Sequence, residues 1–339
     1  MTNGNPPALE IVDLVKHFPG RRRQVVHAVD GVSFTLGRGE MLGLVGESGS
    51  GKSTVANCIL RLTEPTSGTI RLNGVDITHL SRRQMRPLRR DLHMVFQDPY
   101  SSLNPRMTCG DIVGEPLRLH GLSRGRELVT RVDEVFDSVG LRRELRFRYP
   151  HELSGGQRQR VGLARSLILN PSVLVADEPV SALDVSVQAS ILNLLRDLQR
   201  EMGFSCLFIT HDLATVEFLC DRVAVMYLGE IVETAPRAEL FRQAQHPYTQ
   251  ALLSAAVVPD PEVQRARSRV VLDGDLPSPL EPPSGCRFHT RCPLHAQSAP
   301  RSDEETPALR EYAPRHFVAC HLVAPAQPAP RLADMVTSA

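Results

Sequence analysis

Leu153-Ser154-Gly155-Gly156-Gln157 is the stretch that decides the fold, because of the two motifs that stand on either side of it. Upstream, Gly46-Glu47-Ser48-Gly49-Ser50-Gly51-Lys52-Ser53 has the spacing of a phosphate-binding loop. Downstream, the apolar run Val173 to Ala176 ends in two carboxylates, Asp177 and Glu178. LSGGQ alone would be only a polar turn that opens a helix. The order of the three motifs is therefore what carries the information.

The phosphate loop, with Thr54 after it, supplies the candidate nucleotide ligands. Its glycines let backbone N–H groups curl around phosphate oxygens, and the helix that follows points its positive end at the same charge. We expect Lys52 to reach the β- and γ-phosphates and Ser53 to offer its hydroxyl to Mg²⁺. The alternative is a glycine-rich turn without a ligand. A strand predicted at Met41 to Val45 and a helix at Ser53 to Leu62 argue against that alternative.

Polar side chains follow three predicted strands at the point where each strand ends. Asp177 is placed to hold Mg²⁺, and Glu178 to orient and deprotonate the attacking water. Gln97 follows the strand Leu92 to Phe96 and could contact Mg²⁺ or water, while His211 could donate to a γ-phosphate oxygen. Taken singly, each of these residues could be an ordinary solvated or structural strand end. Ligands of parallel sheets bind at the carboxyl ends of the strands, which favours the functional interpretation.

Ser154 to Gln157 opens a second helix whose N–H groups and serine hydroxyl form another anion site. One chain therefore carries two phosphate-binding helix ends that lie far apart in sequence. If they do not meet within one chain, the natural solution is two chains arranged head to tail, each completing the site of the other.

The rest of the pattern predicts an α/β protein. Strands are predicted at Leu9 to Val15, His27 to Leu36, Thr69 to Leu72 and Cys206 to Thr210, and helices at Val187 to Met202 and Leu213 to Cys220. Between Cys109 and Tyr149 the apolar residues recur at helical spacing, which indicates a helical insert. Strands that alternate with helices favour a mostly parallel sheet covered on both faces.

Composition narrows the class of protein. The chain has 339 residues, 42% of them hydrophobic, and a formal net charge of +1, which gives no bulk attraction to nucleic acid. We find no secretory signal and no apolar run of the ~20 residues that a membrane-spanning helix needs. Seven cysteines, an odd number, do not resemble a disulfide framework. We therefore expect a soluble protein of a reducing compartment, the cytosol.

Residues 9 to 235 resemble the ATP-binding cassette (ABC) ATPases through these three motifs. The resemblance implies a RecA-like phosphate-loop core with an N-terminal antiparallel β portion, a helical subdomain at about 98–157 and a C-terminal extension, acting on ATP with Mg²⁺. It implies that Phe18 stacks on adenine and that Gln97 and His211 are the Q-loop and switch residues. Ser181-Ala182-Leu183-Asp184 resembles the D-loop. With no degenerate motif residue, we expect hydrolysis and not only binding of ATP.

Other stretches resemble the oligopeptide/dipeptide importer subfamily, and Tyr100 to Arg106 resembles its F-type ATPase subunit. The stretches are Phe96 to Arg106, Ser181 to Gln188 and His246 to Leu253. The resemblance implies a second, different ATPase as heterodimer partner, two membrane-embedded permease subunits and an external solute-binding protein. It implies no nucleic-acid partner and a peripheral position on the cytoplasmic face of the plasma membrane. Peptides are the expected cargo, with nickel, glutathione or sugars as the alternatives.

Cys286, Cys292 and Cys320 match a C-terminal cysteine motif of this subfamily, in which relatives carry four cysteines suited to an iron–sulfur cluster or another soft-ligand site. No cysteine stands between Leu294 and Asp303, where the third is expected. His295 or an outside ligand could substitute for it. The alternative is a compact C-terminal fold that has lost its metal.

We predict a nucleotide-binding domain at residues 1–245, an extension at 246–325 and a loose tail at 326–339. The alternatives are a soluble cassette ATPase of DNA repair or translation, and an unrelated phosphate-loop kinase or GTPase. The short helical insert and the single phosphate loop argue against the first. The second leaves LSGGQ unexplained.

Overall fold

The structure is a computed structural model that describes residues 5–20, 24–98, 102–255, 272 and 274–324. The predicted tail at 326–339 lies outside the described residues. The chain divides into two compact units, and each consists of several segments. The first unit comprises residues 1–10, 35–41 and 71–209, and the second comprises 11–34, 42–70 and 210–339.

The first unit combines a parallel sheet with most of the helices. Its strands are β5 (Val75–Asp76), β6 (Leu92–Val95), β7 (Val173–Asp177) and nearly all of β8 (Ser205–Thr210). Its helices are α2 (Arg82–Leu88), α3 (Cys109–Leu119), α4 (Gly125–Ser138), α5 (Gly155–Leu167) and α6 (Val185–Met202). Two short 3₁₀ turns, Arg143–Phe147 and Pro150–Glu152, lead into α5.

The parallel strands β6, β7 and β8 form the core of the first unit. Val95 is paired with Ala176, and Asp177 with Ile209, so that all three strands end at one edge of the sheet. Every residue of β7 and β8 is buried. Buried strands of this kind need cover on both faces, which explains why their sequences are continuous apolar runs and not alternating ones.

The second unit is built on mixed and antiparallel sheet. Its elements include β1 (Leu9–Pro19), β2 (Val25–Leu36), β3 (Met41–Val45), β4 (Ser67–Leu72), β9 (Arg222–Tyr227), β10 (Glu230–Pro236), β11 (Arg310–Ala313) and β12 (His316–Val318), some of which run on at their ends into the first unit. Five of these strands follow the order β11-β12-β10-β9-β3. Strand β3 is parallel to β9, with Val45 opposite Val225, whereas β10 is antiparallel to both β9 and β12.

The helices of the second unit are mostly short. They are α1 (Lys52–Ile59), α7 (Leu213–Leu219), α8 (Arg237–Gln243), α9 (Pro247–Ala255), α10 (His295–Ser298) and α11 (Arg301–Glu304). Within the part of the chain that the structure describes, no helix is both long and apolar enough to cross a membrane.

The predicted elements around the motifs are confirmed. Strand β3 has the predicted bounds, and the other predicted strands and helices occur with ends that differ by a few residues. The insert between β6 and β7 is helical, as expected. The prediction missed β5, α2, β9 to β12 and the short helices α8 to α11. Of these, β11 and β12 follow a proline-rich stretch that is typical of a loop.

Candidate functional site

The phosphate loop joins β3 to α1, and its shape requires glycine at two positions. A Cβ on Gly46 would lie 2.1 Å from the carbonyl oxygen of Met226, and one on Gly51 would lie 2.2 Å from that of Ala28. Gly51 also has a φ of 103° and is the N-cap residue of α1. Any side chain at these two positions would collide with backbone, so the glycines of the motif are needed for the fold of the loop itself.

Lys52 lies inside the loop. Its ammonium donates to the carbonyl oxygens of Gly46 and Glu47, both at 2.8 Å, and to the Ser50 hydroxyl at 3.2 Å. The residue is only 5% exposed. A buried ammonium that is bound by neutral oxygens is ready to exchange them for a phosphate, which carries full charge and forms shorter and stronger hydrogen bonds.

Glu47 is held from three directions. Its N–H donates to the hydroxyl of Tyr248 at 2.9 Å, its carbonyl oxygen accepts from Lys52, and its carboxylate is paired with Arg291. Burial raises the pKa of Tyr248, which keeps that hydroxyl neutral. Sequence reasoning missed Tyr248 and Arg291 as neighbours of the phosphate loop. No local signal could have found them, because Tyr248 lies 201 residues and Arg291 244 residues from Glu47 along the chain.

His211 follows β8 and is exposed. The next residue, Asp212, is the N-cap of α7 and accepts from the N–H of Ala214 at 3.0 Å. The backbone next to His211 is therefore fixed by this cap, while the His211 side chain is accessible to solvent. Phe18, the predicted adenine contact, is half-buried near the end of β1, with the ammonium of Lys16 4.7 Å from its ring centre.

In the first unit, Gln97 and Glu178 meet beyond the ends of two adjacent parallel strands. The Gln97 amide Nε2 donates to Glu178 Oε2 at 2.9 Å. Glu178 has a φ of 45°, and its N–H donates to the carbonyl oxygen of Ile209 at 2.8 Å. Asp177, the last residue of β7, is 7% exposed. The structure thus brings together two of the side chains that the sequence assigned to the attacking water.

The signature LSGGQ forms the start of α5. Ser154 is its N-cap: the serine Oγ accepts from the N–H of Gln157 at 3.3 Å, and the Gln157 side-chain oxygen accepts from the N–H of Ser154 at 3.0 Å. Leu153 is buried, and its carbonyl oxygen accepts from the guanidinium of Arg158 at 2.6 Å. This reciprocal cap fixes the orientation of the helix end, as an anion site requires.

The two glycines of the signature allow α5 to approach the chain around α6. A Cβ on Gly156 would lie 2.7 Å from Val187 Cγ1, and one on Gly155 would lie 3.4 Å from Leu183 Cδ2. Leu183 belongs to the predicted D-loop, whose Asp184 is the exposed N-cap residue of α6. The signature and the D-loop are therefore packed against each other.

The cysteines fall into two groups. Cys58, Cys109, Cys206 and Cys220 are buried, as expected of small core residues. Cys286, Cys292 and Cys320 are half-buried free thiols. Burial, with a smaller contribution from Cys320, raises the pKa of Cys286 to about 11 and that of Cys292 to about 12. The three thiols are thus near enough to one another to interact electrostatically.

Comparison with known proteins adds independent findings. The ABC transporter family profile matches residues 29–181, and the profile "Oligopeptide/dipeptide transporter, C-terminal region" matches residues 232–298. The oligopeptide transport ATP-binding protein AppF of Bacillus subtilis is 51% identical over 321 residues, which cover 93% of this chain and 97% of AppF.

Two solved structures share the fold. The ATP-binding cassette MJ0796, in a dimeric post-hydrolysis state bound to ADP and Pi, matches with a TM-score of 0.61 at 30% identity, over 68% of this chain and 98% of that one. CbiO1 from Clostridium perfringens, part of the ABC transporter complex cbiONQ, matches with a TM-score of 0.62 at 30% identity, over 70% of this chain and 91% of that one. These neighbours have the RecA-like cassette fold that the motifs predicted.

Proposed function

This chain is a member of the ATP-binding cassette family and an ATPase, and from that premise we propose that it drives the import of peptides. The observation that supports peptides as the transported substrate is the match of residues 232–298 to the oligopeptide/dipeptide transporter C-terminal region. The similarity to AppF spans nearly the whole of both chains and includes that region. A cassette that served another kind of transporter would have no reason to keep this extension.

We propose that Lys52 and the N–H groups of Gly46 to Thr54 bind the phosphates of ATP. Phe18 would stack on the adenine ring, and His211 would donate to the γ-phosphate. Mg²⁺, when bound, neutralises phosphate charge. Ser53, Asp177 and Gln97 would hold it, since a hydroxyl, a carboxylate and an amide oxygen are the hard ligands that this ion prefers.

We propose that Glu178 takes the proton of the attacking water. The Gln97 amide fixes one carboxylate oxygen of Glu178 at 2.9 Å, so the orientation of the carboxylate is set before substrate arrives.

A second ATPase chain is the partner that we propose for the signature. The face that includes Ser154 and Asp184 is suited to a partner, because Asp184 is exposed and the side chain of its neighbour Val185 is 82% exposed. In the subfamily that this chain resembles the two ATPases differ, so we propose a heterodimer.

We propose that the helical part of the first unit docks two permease subunits, on the cytoplasmic face of the plasma membrane. Large apolar side chains are exposed there: Leu119 at 63%, Phe147 at 67% and Tyr149 at 40%. Gln97 precedes this part of the chain and contacts Glu178, which offers a route from the hydrolysed phosphate to the membrane subunits. An external solute-binding protein would deliver the peptide to them.

A four-cysteine iron–sulfur cluster does not fit this chain. Only Cys286, Cys292 and Cys320 are available, and the imidazole of His295 is engaged with the Asp303 carboxylate at 2.6 Å. Within the described residues, the sulfurs of these three cysteines do not all lie within 4.8 Å of one another, so the thiols are not arranged as a metal site either. No step of the ATPase cycle proposed here passes through such a group.

Uptake in cells tests the proposed function. A strain that lacks this chain should fail to take up a labelled oligopeptide, and the wild-type chain should restore uptake. Lys52→Ala should not restore it, because the phosphate loop loses the ammonium that binds the β- and γ-phosphates. Restoration by Lys52→Ala, at the same protein level, would contradict the assigned role of the loop. Normal peptide uptake in the strain without the chain would contradict the proposal that peptides are the transported substrate.

A further inference from the structure

The C-terminal extension contacts the phosphate loop directly through Arg291. The guanidinium makes two hydrogen bonds to the Glu47 carboxylate, at 2.9 Å and 3.3 Å. The Arg291 side chain is only 10% exposed and that of Glu47 is 28% exposed. A bidentate pair that is largely shielded from water is one of the stronger polar contacts in proteins, and it fixes geometry as well as distance.

Aromatic rings of the second unit hold this contact in place. The Arg291 guanidinium lies 5.9 Å from the ring centre of Tyr227, and Phe288 packs edge-on against Tyr227 at 5.3 Å. Tyr248, whose hydroxyl accepts from the Glu47 N–H, is 4.7 Å from Tyr227 and 5.5 Å from Phe288. The side chain and the N–H of Glu47 are thus anchored to one rigid aromatic cluster, Tyr227, Tyr248 and Phe288.

Arg287 provides a second route from the same extension to the loop. It is paired with Glu230 at 2.9 Å and also contacts Asp30 and the carbonyl oxygen of Leu228. The turn that it holds, Leu228 to Glu230, donates the N–H of Gly229 to the carbonyl oxygen of Ser50 at 2.9 Å. Two positions of the phosphate loop, Glu47 and Ser50, are therefore connected to the short segment that includes Cys286 and Cys292.

We propose that Arg291 is a positioning residue for ATP binding: by pinning Glu47 it keeps the phosphate loop in the conformation that accepts the nucleotide. Lys52 donates to the carbonyl oxygens of both Gly46 and Glu47 inside the loop. If Arg291 no longer holds Glu47, the loop can move together with the Lys52 side chain into other conformations. The apparent ATP affinity equals the intrinsic affinity multiplied by the fraction of molecules whose loop is competent to bind. The inference rests on the proposed role of the loop as the ATP site.

A double-mutant cycle on the full-length chain tests this proposal, with ATP affinity measured by titration calorimetry. Arg291→Ala and Glu47→Gln should each weaken ATP binding about 5- to 10-fold, within the usual range for coupled sites. The double variant should be no weaker than either single one, because both remove the same contact. Arg291→Lys should restore part of the affinity, since lysine keeps the charge and loses the bidentate geometry.

Arg301→Ala is the matched control. It removes an Arg–Glu pair of the same extension, with Glu305 at 2.8 Å, and both side chains of that pair are more than half exposed. Its ATP affinity should equal that of the wild type. Arg291→Ala with a lowered melting temperature and wild-type affinity would reduce Arg291 to a structural role and overturn the proposal. Additive losses in the double variant would overturn it as well.

Different results would contradict the positioning role of Arg291 and the assignment of the phosphate loop as the ATP site. If the wild-type chain and Lys52→Ala bound ATP equally, the phosphate-loop assignment itself would be wrong. If only Lys52→Ala lost binding, the loop would stand and the positioning role of Arg291 would fall. Should Arg291→Ala not fold, Glu47→Gln carries the test, because it replaces one oxygen of a partly exposed side chain.

Discussion

At the scale of single residues, the role that we propose for Glu178 as the general base can be tested directly. Glu178→Gln should bind ATP within about twofold of the wild type and hydrolyse it at least ~10²-fold more slowly, which is the usual contribution of a general base. The amide oxygen of the new side chain can still accept from Gln97, so the loss would report basicity and not misplacement. Steady-state ATPase assays on the transporter complex measure this loss of hydrolysis rate.

Glu201→Gln is the control for that variant, because Glu201 is an exposed carboxylate of α6 in the same unit. It should hydrolyse ATP at the wild-type rate. Near-normal turnover of Glu178→Gln would remove Glu178 from the role of general base.

Residue roles that depend on local spacing could be predicted from the sequence, and those that depend on long-range contacts could not. Gly46, Gly51 and Lys52 follow from a motif eight residues long, and the clashes at both glycines show why the motif tolerates no other residue there. Arg291 is 244 residues from Glu47. No periodicity or local pattern joins two such positions; only the packing of α9 and the extension brings them together.

At the scale of elements, the start of α5 serves two purposes that can be separated. Ser154 Oγ accepts from the N–H of Gln157, which leaves the hydroxyl proton available for an acceptor. Ser154→Ala should lose about 1 kcal/mol of capping and lower the melting temperature by about 2–4 °C, whereas Ser154→Gly should lose only a few tenths of a kcal/mol. Both should lose a similar part of ATP turnover, because both lack the hydroxyl.

Calorimetry and ATPase assays on the two variants decide between these purposes. If Ser154→Gly retained the wild-type turnover, the hydroxyl would only cap the helix and would not contact phosphate. A loss of turnover that followed melting temperature, large in Ser154→Ala and small in Ser154→Gly, would lead to the same conclusion.

Elements with a strong local signal were predictable, and elements defined by their partners were not. Strand β3 is bounded by a Gly-rich turn and the phosphate loop, so its ends could be predicted to the residue. Strand β12 has three residues and exists because β10 pairs with it at Glu233 and Thr234. The His316 side chain contacts the fully buried Glu233 at 2.7 Å, which is a tertiary reason for a strand that propensity does not supply.

At the scale of the whole molecule, we propose that another chain, arranged head to tail, completes the active site of which this chain carries two halves. Lys52→Ala keeps an intact signature, and Ser154→Ala keeps an intact phosphate loop. Each variant alone should be nearly inactive. If two copies of this chain formed the dimer, mixing the variants would restore roughly a quarter of wild-type activity, because random pairing makes half of the dimers mixed and leaves one of two sites whole.

We expect no restoration in that mixture, because we propose that the partner is a different ATPase. The wild-type chain extracted from membranes should instead co-purify with two multi-span proteins and a second cassette that has its own signature motif. Restoration of roughly a quarter of the wild-type activity would contradict the heterodimer and indicate a homodimer, since only self-pairing places Ser154 of one variant beside Lys52 of the other. ATPase activity measured against the mixing ratio separates the cases: a self-pairing chain gives a maximum at equal amounts, and a chain that needs a foreign partner gives a flat line.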